Sequence, residues 1–561
     1  MERIWLEHYP KGVPADITDQ AAAYGSLADL FEESCRQYAH NTAYISMGVS
    51  MSYTQTYEKA QAFAAWLQSQ GVEKGDRVAL MMPNLLQYPI CLFGTLMAGA
   101  VVVNTNPLYT AHELHHQLSD SGATTVVVAE NFASTLQQAM AMPNTNVKRV
   151  VVTSLGEMLG FPKGPITDLV VRHVKKLVPA WRIPGALRLH QALATGARSA
   201  YQRPTLTHDD LAALQYTGGT TGVAKGAMLS HGNLVSNVCQ AYGWVKPFCQ
   251  GERECVVTAL PLYHIFALTA NCLTFMKLGA SNLLIVNPRD IPGFVKELGT
   301  VKFTALTGVN TLFNALLNNA DFAKLDFSSL HTTLGGGMAV QEAIAERWLK
   351  ATGKPIAQAY GLTETSPAVT INPLDKVDFN GSIGLPVPST LVAVRTDNRS
   401  MAIGEPGEIC VKGPQVTSGY WNRPEETAKV FDGDGWLLTG DIGYMNDKGY
   451  VFLLDRKKDM ILVSGFNVYP NEVEAAAIEH PGILEAAAIG VPNGPSGEVV
   501  KLYVIRKDPA LTEADVIAHC RKLLTGYKVP KFVEFRDDLP RSNVGKILRK
   551  ELRKQDPALK A

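Results

Sequence analysis

The chain has 561 residues, too many for one compact core and enough for two or three domains. Hydrophobic residues make up 46% and charged residues 19%, a globular balance that excludes a disordered or coiled-coil chain. Lysine plus arginine (52) equals aspartate plus glutamate (52), so no overall field attracts nucleic acid or membrane, and no nucleic-acid partner is expected.

The cysteines and the first residues bear on the compartment. The eight cysteines show no C-x-x-C spacing, so the pattern indicates no zinc site. The first ten residues, MERIWLEHYP, include two glutamates and lack the apolar stretch of a signal peptide. We therefore expect a protein of the reducing cytoplasm.

Short β-branched runs alternate with helical patterns along the first 300 residues. Apolar residues at helical spacing predict a helix over 56–70, and strands are predicted over 77–82, 101–103, 125–129, 149–153 and 282–286. Such alternation is typical of parallel sheets covered on both faces. The predicted class is α/β, with a large N-terminal domain of mixed and parallel sheets covered by helices.

Two apolar runs, 88–103 and 255–276, have the composition of membrane segments. The first is interrupted by Pro89, and the second by Pro261, His264 and Asn271. A membrane span needs about 20 predominantly apolar residues. Both runs are therefore predicted to be buried elements.

The segment 163–203 carries eight basic residues and a single acid, Asp168. On a helical wheel its apolar side chains, from Val170 to Trp181, face away from Arg172, Lys175 and Lys176, and Pro179 would interrupt the helix. One interpretation is a surface insertion that packs on the body of the protein. The other is an interfacial helix that touches anionic lipid at the inner face of the cell membrane.

A glycine-rich loop follows the apolar residues Leu211 to Leu214. Hydroxyls, glycines and a lysine lie within eleven residues, a composition that suits a polyphosphate because glycine lets backbone amides approach phosphate oxygens. Lys225 is followed by Gly226 rather than Ser or Thr, so the loop is not a Walker A motif. The candidate phosphate-binding residues are Tyr216, Thr217, Gly218, Gly219, Thr220, Thr221, Gly222 and Lys225.

The pattern changes near residue 456. Hairpin strands predicted over 436–441 and 450–459 precede a compact unit with helices near 472–479 and 513–524. We place the domain boundary there. Residues 1–456 form the large domain, and residues 457–561 form a small α+β C-terminal domain.

The loop resembles the phosphate loop of the adenylate-forming superfamily, which includes acyl-CoA synthetases, luciferases and peptide-synthetase adenylation domains. Further motifs of the superfamily follow in order, from about Tyr53 to Lys546. The residues within these motifs, together with PLYH at 261–264 and VSGFNVYP at 463–470, are similar to those of bacterial long-chain fatty acid–CoA ligases. The motifs are YGLTE at 360–364, GEPGE at 404–408, TGD at 439–441, DRKKD at 455–459 and RSNVGK at 541–546.

The resemblance implies roles for individual nucleotide-site residues. Tyr360 would lie against adenine, beside Gly336, Gly361 and Thr363, whose backbone approaches the adenylate. Asp441 and Arg456 would bind the ribose hydroxyls, since a carboxylate accepts two hydrogen bonds. Glu364 would hold Mg²⁺, a hard cation that prefers oxygen. Thr217 either shares that metal or bonds a phosphate.

The remaining implied roles concern the two steps of the reaction. Lys546 would enter the site on a mobile loop for the first step, and Lys458 lies where family members pivot the small domain. Gly465 would line the path of the pantetheine thiol. His264 is either a wall or gate near the acyl carboxylate or a buried core residue.

The implied activity is ATP-dependent formation of an acyl-adenylate and pyrophosphate, followed by transfer of the acyl group to CoA with release of AMP. A long-chain fatty acid destined for degradation is the expected substrate, because Leu260 to Phe266 carry no acid that would hold an amino group. Burial is worth about 0.8 kcal/mol per CH₂, so an apolar tunnel would favour long chains.

Alternatives remain open at this stage. The same motifs fit a ligase for another carboxylic acid or one that loads a carrier protein, and a luciferase-like oxygenase shares them. A non-enzymatic acyl-AMP sensor is disfavoured, because Glu364, Asp441 and Lys546 are all present. The sequence also leaves a homodimer open.

Overall fold

The computed structural model describes residues 2–217, 224–249, 253–397, 399–493, 497–542 and 545–559. Two large sheets with mainly parallel central strands, covered by helices, confirm the predicted α/β class. Within these ranges the helices are Thr18–Ala22, Leu27–Gln37, Tyr53–Ser69, Gln87–Met97, Ala111–Ser121, Ala133–Met140, Lys163–Leu169, Leu189–Gly196, His231–Val245, Thr274–Lys277, Ile291–Leu298, Asn310–Leu317, Glu342–Thr352, Pro424–Val430, Pro470–Ile478, Glu513–Leu523 and Arg549–Gln555.

The first large sheet carries the later part of the chain. Its strands, in spatial order, are Leu385–Pro386, Ala368–Ile371, Ala357–Gly361, Thr332–Gly335, Ala305–Gly308, Cys255–Thr258, Ser281–Leu284, Thr42–Ser46 and Val49–Ser52. The strands Ala305–Gly308, Thr332–Gly335 and Ala357–Gly361 run parallel, so their carboxyl ends lie at one edge of the sheet. Ligands of open α/β sheets bind at that edge.

The second large sheet is buried on both faces at its centre. The strand Val101–Asn104 and the strand Thr125–Ala129 are entirely buried, which explains their uninterrupted runs of valine. The strands in spatial order are Leu187–Arg188, Arg149–Thr153, Thr125–Ala129, Arg77–Met81, Val101–Asn104, Leu211–Thr217 and Lys225–Ser230.

Three smaller sheets follow along the chain. The five-stranded sheet, in spatial order Arg399–Ser400, Leu391–Thr396, Gly407–Lys412, Leu437–Met445 and Val451–Arg456, ends where we predicted the domain boundary. Beyond it lie a hairpin, Ile461–Val463 with Phe466–Val468, and a three-stranded sheet, Ile483–Pro492, Glu498–Arg506 and Phe532–Phe535. The boundary at 456/457 stays a prediction.

Both apolar runs are buried elements. Every residue of the helix Gln87–Met97 is buried, and the strand Cys255–Thr258 is followed by a buried π-helix, Ala267–Leu273. Over the part of the chain that the structure describes, no helix combines the length and apolar character that crossing a bilayer requires.

The helix predicted through the basic segment is wrong beyond its first half. The helix Lys163–Leu169 continues as a π-turn, Val170–Val174, and then ends, because Lys176 takes a positive φ of 50° and Pro179 follows. Of the apolar residues on the wheel, only Val174 and Leu177 are exposed, whereas Val170, Val178 and Trp181 are half-buried. The other exposed apolar side chains of this region are Phe161, Ile166 and Leu169.

Candidate functional site

A cavity of about 1930 Å³ brings most of the predicted site residues together. It lies at the carboxyl ends of the central strands of the first large sheet and extends to the C-terminal unit. Its volume exceeds the roughly 300–1,000 Å³ of common ligand pockets, so it has room for more than one substrate. The predicted residues that line it are Tyr216, Thr217, Lys225, His264, Gly336, Tyr360, Gly361, Thr363, Glu364, Asp441, Arg456, Lys458 and Lys546.

A carboxylate with two partners forms one corner of the cavity. Asp441 is 2% exposed, its Oδ2 accepts a hydrogen bond from the Tyr360 hydroxyl at 2.7 Å, and its Oδ1 lies 3.1 Å from Nε of Arg456. Asp441 and Arg456 face each other on antiparallel strands, so sheet register sets this pairing. Each carboxylate oxygen has a second lone pair, which is available to a hydroxyl of a ligand.

Two glycines let backbone form the wall beside this corner. A Cβ at Gly361 would lie 1.9 Å from the carbonyl oxygen of Pro367, which excludes any side chain there. A Cβ at Gly336 would lie 3.1 Å from the ring of Phe266, and its N–H donates to the Gly308 carbonyl at 3.1 Å. At these two positions the wall therefore consists of backbone alone.

A network of charged groups lies around Glu364. The Tyr420 hydroxyl donates to Oε1 of Glu364 at 2.6 Å, and Nζ of Lys225 lies 4.5 Å from the centroid of the Tyr420 ring. Lys225 also forms an ion pair of 2.8 Å with Glu426. Hydrogen bonds from Lys225 and Lys429 lower the pKa of Glu426 to about 2.

The phosphate loop is described only at its two ends. Before the gap, the Tyr216 hydroxyl donates to Asp120 at 2.7 Å and the Thr217 hydroxyl lies 3.5 Å from the Lys225 carbonyl. Burial, followed by the bond to Asp120, raises the pKa of Tyr216. The predicted residues Gly218, Gly219, Thr220, Thr221 and Gly222 lie outside the described residues.

His264 is a neutral group that faces the lysine loop. Burial and, secondarily, the charge of Lys546 lower the pKa of His264 to about 4. Its Nδ1 accepts a hydrogen bond from the Phe266 N–H at 3.3 Å. At neutral pH the imidazole is therefore an uncharged wall of the cavity rather than a proton donor.

Lys546 reaches the cavity from the C-terminal unit. Its N–H donates to the Ser542 hydroxyl at 3.1 Å, and a Cβ built at the neighbouring Gly545 would lie 2.9 Å from the Thr311 hydroxyl. The lysine loop thus touches the large unit. Burial and the nearby Arg456 lower the pKa of Lys546 to about 8.

Gly465 is the one described residue of the predicted set that does not line the cavity. It lies at an exposed hairpin turn with a φ of +86°, and nothing lies within 4 Å of a Cβ built on it. Its predicted contact with the pantetheine thiol stays a prediction. Lys458, two residues beyond the paired Arg456, does line the cavity.

The inner part of the cavity is lined by residues of the helix His231–Val245 and of one face of the first large sheet. We call this part the tunnel. The helix is capped by Ser230, whose hydroxyl accepts from the Asn233 N–H at 3.1 Å. No charged side chain is found among the described residues that line this inner part. They include Asn237, Ala241, Val245, Thr269, Ala270, Thr274, Phe275, Ala305, Thr307, Thr332, Leu334, Ala359, Ile371 and Leu374.

The sheet supplies mainly small side chains to the tunnel. Ala305 pairs with Thr332, and Thr307 with Leu334, so these four residues share one face of parallel strands. Ala305, at the start of its strand, is level with Thr332, four residues before Gly336. It therefore lies about 13 Å deeper than Gly336 at about 3.3 Å per residue.

Sequence reasoning missed the segment Tyr420 to Glu426. It contributes the partner of Glu364, the partner of Lys225, and Arg423, whose guanidinium donates to Asp120 at 2.6 Å. An aromatic residue and an arginine just before Pro424, which begins a helix, were the available signal.

Two family models match the chain. The model described as AMP-binding enzyme matches residues 31–421, and the model described as AMP-binding enzyme C-terminal domain matches residues 472–546. Both matched regions contribute residues to the cavity.

Similar proteins cover nearly the whole chain. A long-chain-fatty-acid–CoA ligase of Escherichia coli O6:H1 is 56% identical over 99% of this chain and 98% of that protein. One of Bacillus subtilis is 36% identical over the same shares. Among solved structures, the anthranilate CoA ligase AuaEII with anthranoyl-AMP has a TM-score of 0.84 at 25% identity, covering 95% of this chain and 98% of that one. ATP-bound MatB from Rhodopseudomonas palustris has a TM-score of 0.80 at 30% identity, covering 94% and 98%.

A match over most of the chain, with these identities, shows the family. The order of the motifs, the fold and the cavity agree with it. The chain therefore belongs to the AMP-binding enzyme family, within the adenylate-forming superfamily.

Proposed function

We propose that the protein is a long-chain fatty acid–CoA ligase, which forms an acyl-adenylate from ATP and a fatty acid and then transfers the acyl group to CoA. The observation that carries this substrate class is the uncharged tunnel. It belongs to the same cavity as Tyr360, Asp441 and Arg456, which we call the nucleotide corner. The described residues that line the tunnel include no carboxylate that would pair with an ammonium group, and burial of a hydrocarbon chain there is favourable.

The first step brings a carboxylate to the α-phosphorus of ATP, so negative charges approach one another. In our proposal Tyr360, Gly336, Gly361 and Thr363 hold adenine, while Asp441 and Arg456 bind the ribose. Lys225 and Lys546 supply positive charge on the phosphate side. Such preorganised charges stabilise the transition state because they need no rearrangement during the reaction.

Glu364 and Thr217 are the residues that would hold Mg²⁺. Both offer hard oxygen donors to the cavity, and the hydrogen bond from Tyr420 leaves Glu364 further lone pairs. Within the described ranges no cluster of three or more His, Cys, Asp or Glu side chains could hold a metal. This suits Mg²⁺, which is commonly bound by one or two carboxylates together with phosphates and water. The bound metal would offset the charge of the phosphates.

The second step needs a thiol to reach the activated carbonyl, and in our proposal the lysine loop would have to leave the cavity to let it in. We propose that residues 457–561 turn about Lys458 between the steps, so that Lys546 withdraws and Gly465 approaches the cavity. Movements of this kind gate many enzymes in which one site serves two reactions.

A panel of carboxylates tests the proposed function. We expect ATP-dependent release of AMP and pyrophosphate with palmitate and oleate, and formation of acyl-CoA only when CoA is present. Preferred turnover of an aromatic acid or malonate would reject the substrate class. Transfer to a holo acyl carrier protein in preference to CoA would reject the thiol acceptor.

We expect the adenylation activity to fall as pH rises through about 8, because Lys546 has a pKa of about 8 and is charged only below it. The profile of kcat/KM for ATP reports the free enzyme, so it is the quantity to follow, from about pH 6.5 to 9.5. Lys546→Arg keeps its charge throughout this range and should lose the alkaline decline. An unchanged decline in that variant would assign the titration to another group.

We also propose peripheral contact between the basic segment and anionic lipid. Phe161 and Val174 are 91% and 68% exposed, and Lys175 and Lys176 are exposed beside them. Arg172 instead pairs with the buried Glu130 at 2.6 Å, so it anchors the segment to the body. Apolar side chains flanked by free lysines suit the interface of an anionic bilayer.

Charge reversal at Lys175 and Lys176 should weaken binding to anionic vesicles at low salt by at least about thirtyfold, because losing the attraction of each lysine alone costs about 1 kcal/mol. Co-sedimentation with phosphatidylglycerol vesicles measures it. The matched control, Arg521→Glu with Lys522→Glu, reverses two neighbouring exposed charges elsewhere and should bind as the wild type does. Equal loss in both double variants would attribute binding to net charge.

A further inference from the structure

Arg549 lies three residues after Lys546 and makes more polar contacts than positioning its own helix requires. Its Nη1 lies 3.2 Å from Oδ1 of Asp455, and its Nη2 donates to Oδ1 of Asn471 at 2.6 Å. Its Nε and Nη2 also donate to the two oxygens of Glu474, at 2.9 and 2.8 Å. The guanidinium therefore joins three elements, and its side chain is only 13% exposed.

These partners lie on both sides of the proposed boundary. Asp455 is on the strand Val451–Arg456 of the five-stranded sheet, whereas Asn471 and Glu474 are on the helix Pro470–Ile478. Asp455 is 1% exposed, and its Oδ2 accepts from the Asn471 N–H at 2.8 Å. The Asn471 side chain in turn donates to the Leu454 carbonyl at 3.1 Å. The backbone and the side chain of Asn471 therefore each donate a hydrogen bond to the large unit.

The lysine loop is tied closely to Arg549. The Leu548 N–H donates to the Pro540 carbonyl at 2.8 Å, and the Ser542 N–H donates to the Lys546 carbonyl at 2.7 Å. These bonds close the loop just ahead of the helix Arg549–Gln555. A displacement of Arg549 relative to Asp455 therefore displaces Lys546 relative to Asp441 and the rest of the nucleotide corner.

Glu474 alone would neutralise Arg549, and both belong to the small unit. The contact with Asp455 is the part of the cluster that depends on how the two units are arranged. A buried ion pair contributes little net stability but fixes geometry strongly, since a misplaced partner leaves a buried charge unpaired. An ion pair between the two units therefore favours one orientation of the small unit relative to the large one.

We propose that Asp455 and Arg549 form a latch that positions Lys546 for adenylation and opens before thioester formation. The inference rests on the proposed function and deepens it. Asp455 and Arg549 are positioning residues, because they act through Lys546. We therefore expect loss of the latch to slow adenylation and to leave thioester formation unchanged.

Asp455→Asn is the informative variant. The substitution removes the negative charge and preserves the shape of the side chain. Arg549 still forms ion pairs with Glu474 at 2.8 Å and with Asp459 at 3.6 Å, so its own charge stays compensated. We expect kcat for oleate-dependent pyrophosphate exchange to fall about tenfold, as the population with the lysine in place falls, with KM for ATP unchanged. Oleoyl-CoA formation from supplied oleoyl-AMP and CoA should stay within about twofold.

Arg549→Lys keeps the positive charge but loses the planar guanidinium, which donates to several partners at once. Its rate of pyrophosphate exchange should therefore lie between those of wild type and Asp455→Asn. The control is Glu472→Gln, which breaks an ion pair with Lys528 inside the small unit, on the same helix as Glu474. It should match the wild type in both half-reactions. Equal losses in both half-reactions of Asp455→Asn, or no loss in either, would overturn the latch.

Limited trypsin digestion of the full-length protein tests the latch without any substrate. Cleavage after Arg456, Lys457 or Lys458 should be at least about threefold faster in Asp455→Asn than in wild type and Glu472→Gln, because opening exposes the pivot. Unchanged cleavage there would overturn the latch. If wild type adenylates no fatty acid, the proposed function fails, and the digestion still decides whether the latch exists.

Discussion

Lys546→Ala is expected to lower acyl-adenylate formation by about 100- to 1,000-fold, the usual cost of removing one preorganised donor from a charged transition state. The side chain lies near Arg456, Asp441 and His264 in the arrangement described here. Its loss removes one of the positive charges that the small unit brings to the cavity. Carboxylate-dependent pyrophosphate exchange measures this step.

Thioester formation from chemically made acyl-AMP and CoA should proceed at a near-normal rate in the same variant. In the proposed mechanism the lysine has no role once the adenylate exists, and its loop withdraws before the thiol enters. Lys554→Ala, at an exposed lysine of the same unit paired with Glu551, is the matched control and should be normal in both assays. A Lys546→Ala enzyme equally impaired in both half-reactions would contradict the alternation of the small unit.

Ala305→Phe is expected to shift the enzyme from long to medium chains. Ala305 is fully buried, yet it lines the tunnel about 13 Å beyond Gly336. A phenyl ring there blocks the deeper part. If about four methylenes lose their burial, the cost is about 3 kcal/mol, so kcat/KM for palmitate should fall about hundredfold relative to that for decanoate.

The shorter acid is the internal control for folding. Decanoate turnover should stay within about threefold of wild type, since overpacking distorts a core only locally. Ala305→Val adds less volume and should give an intermediate shift. If palmitate and decanoate decline together across this series, Ala305 does not limit chain length and the tunnel ends elsewhere.

Local chemistry was sufficient to predict many elements. The strands predicted over 125–129 and 149–153 have those bounds in the structure, because an unbroken run of β-branched residues has few stable alternatives. The helix predicted near 513–524 begins at Glu513, where Thr512 caps it by accepting from the Asp515 N–H at 3.3 Å. The motifs also identified residues that line the cavity.

Where local preferences conflicted, the sequence misled. The helical wheel of the basic segment assumed one regular helix, whereas Lys176 and Pro179 end it early and Arg172 turns inward to Glu130. An ion pair with a buried acid 42 residues away outweighs the periodicity of a short helix, and periodicity carries no information about such a partner.

The sequence by itself determined the class of fold, the order of the motifs and the identity of thirteen residues that line the cavity, because glycines, hydroxyls and charges at fixed spacing carry their chemistry locally. Tertiary structure alone decided which groups meet. The Tyr420 hydroxyl on Glu364, the Arg549 guanidinium on Asp455 and the tunnel behind Gly336 each join segments more than 50 residues apart. Their geometry follows from sheet register and helix packing, which are properties of the whole folded chain.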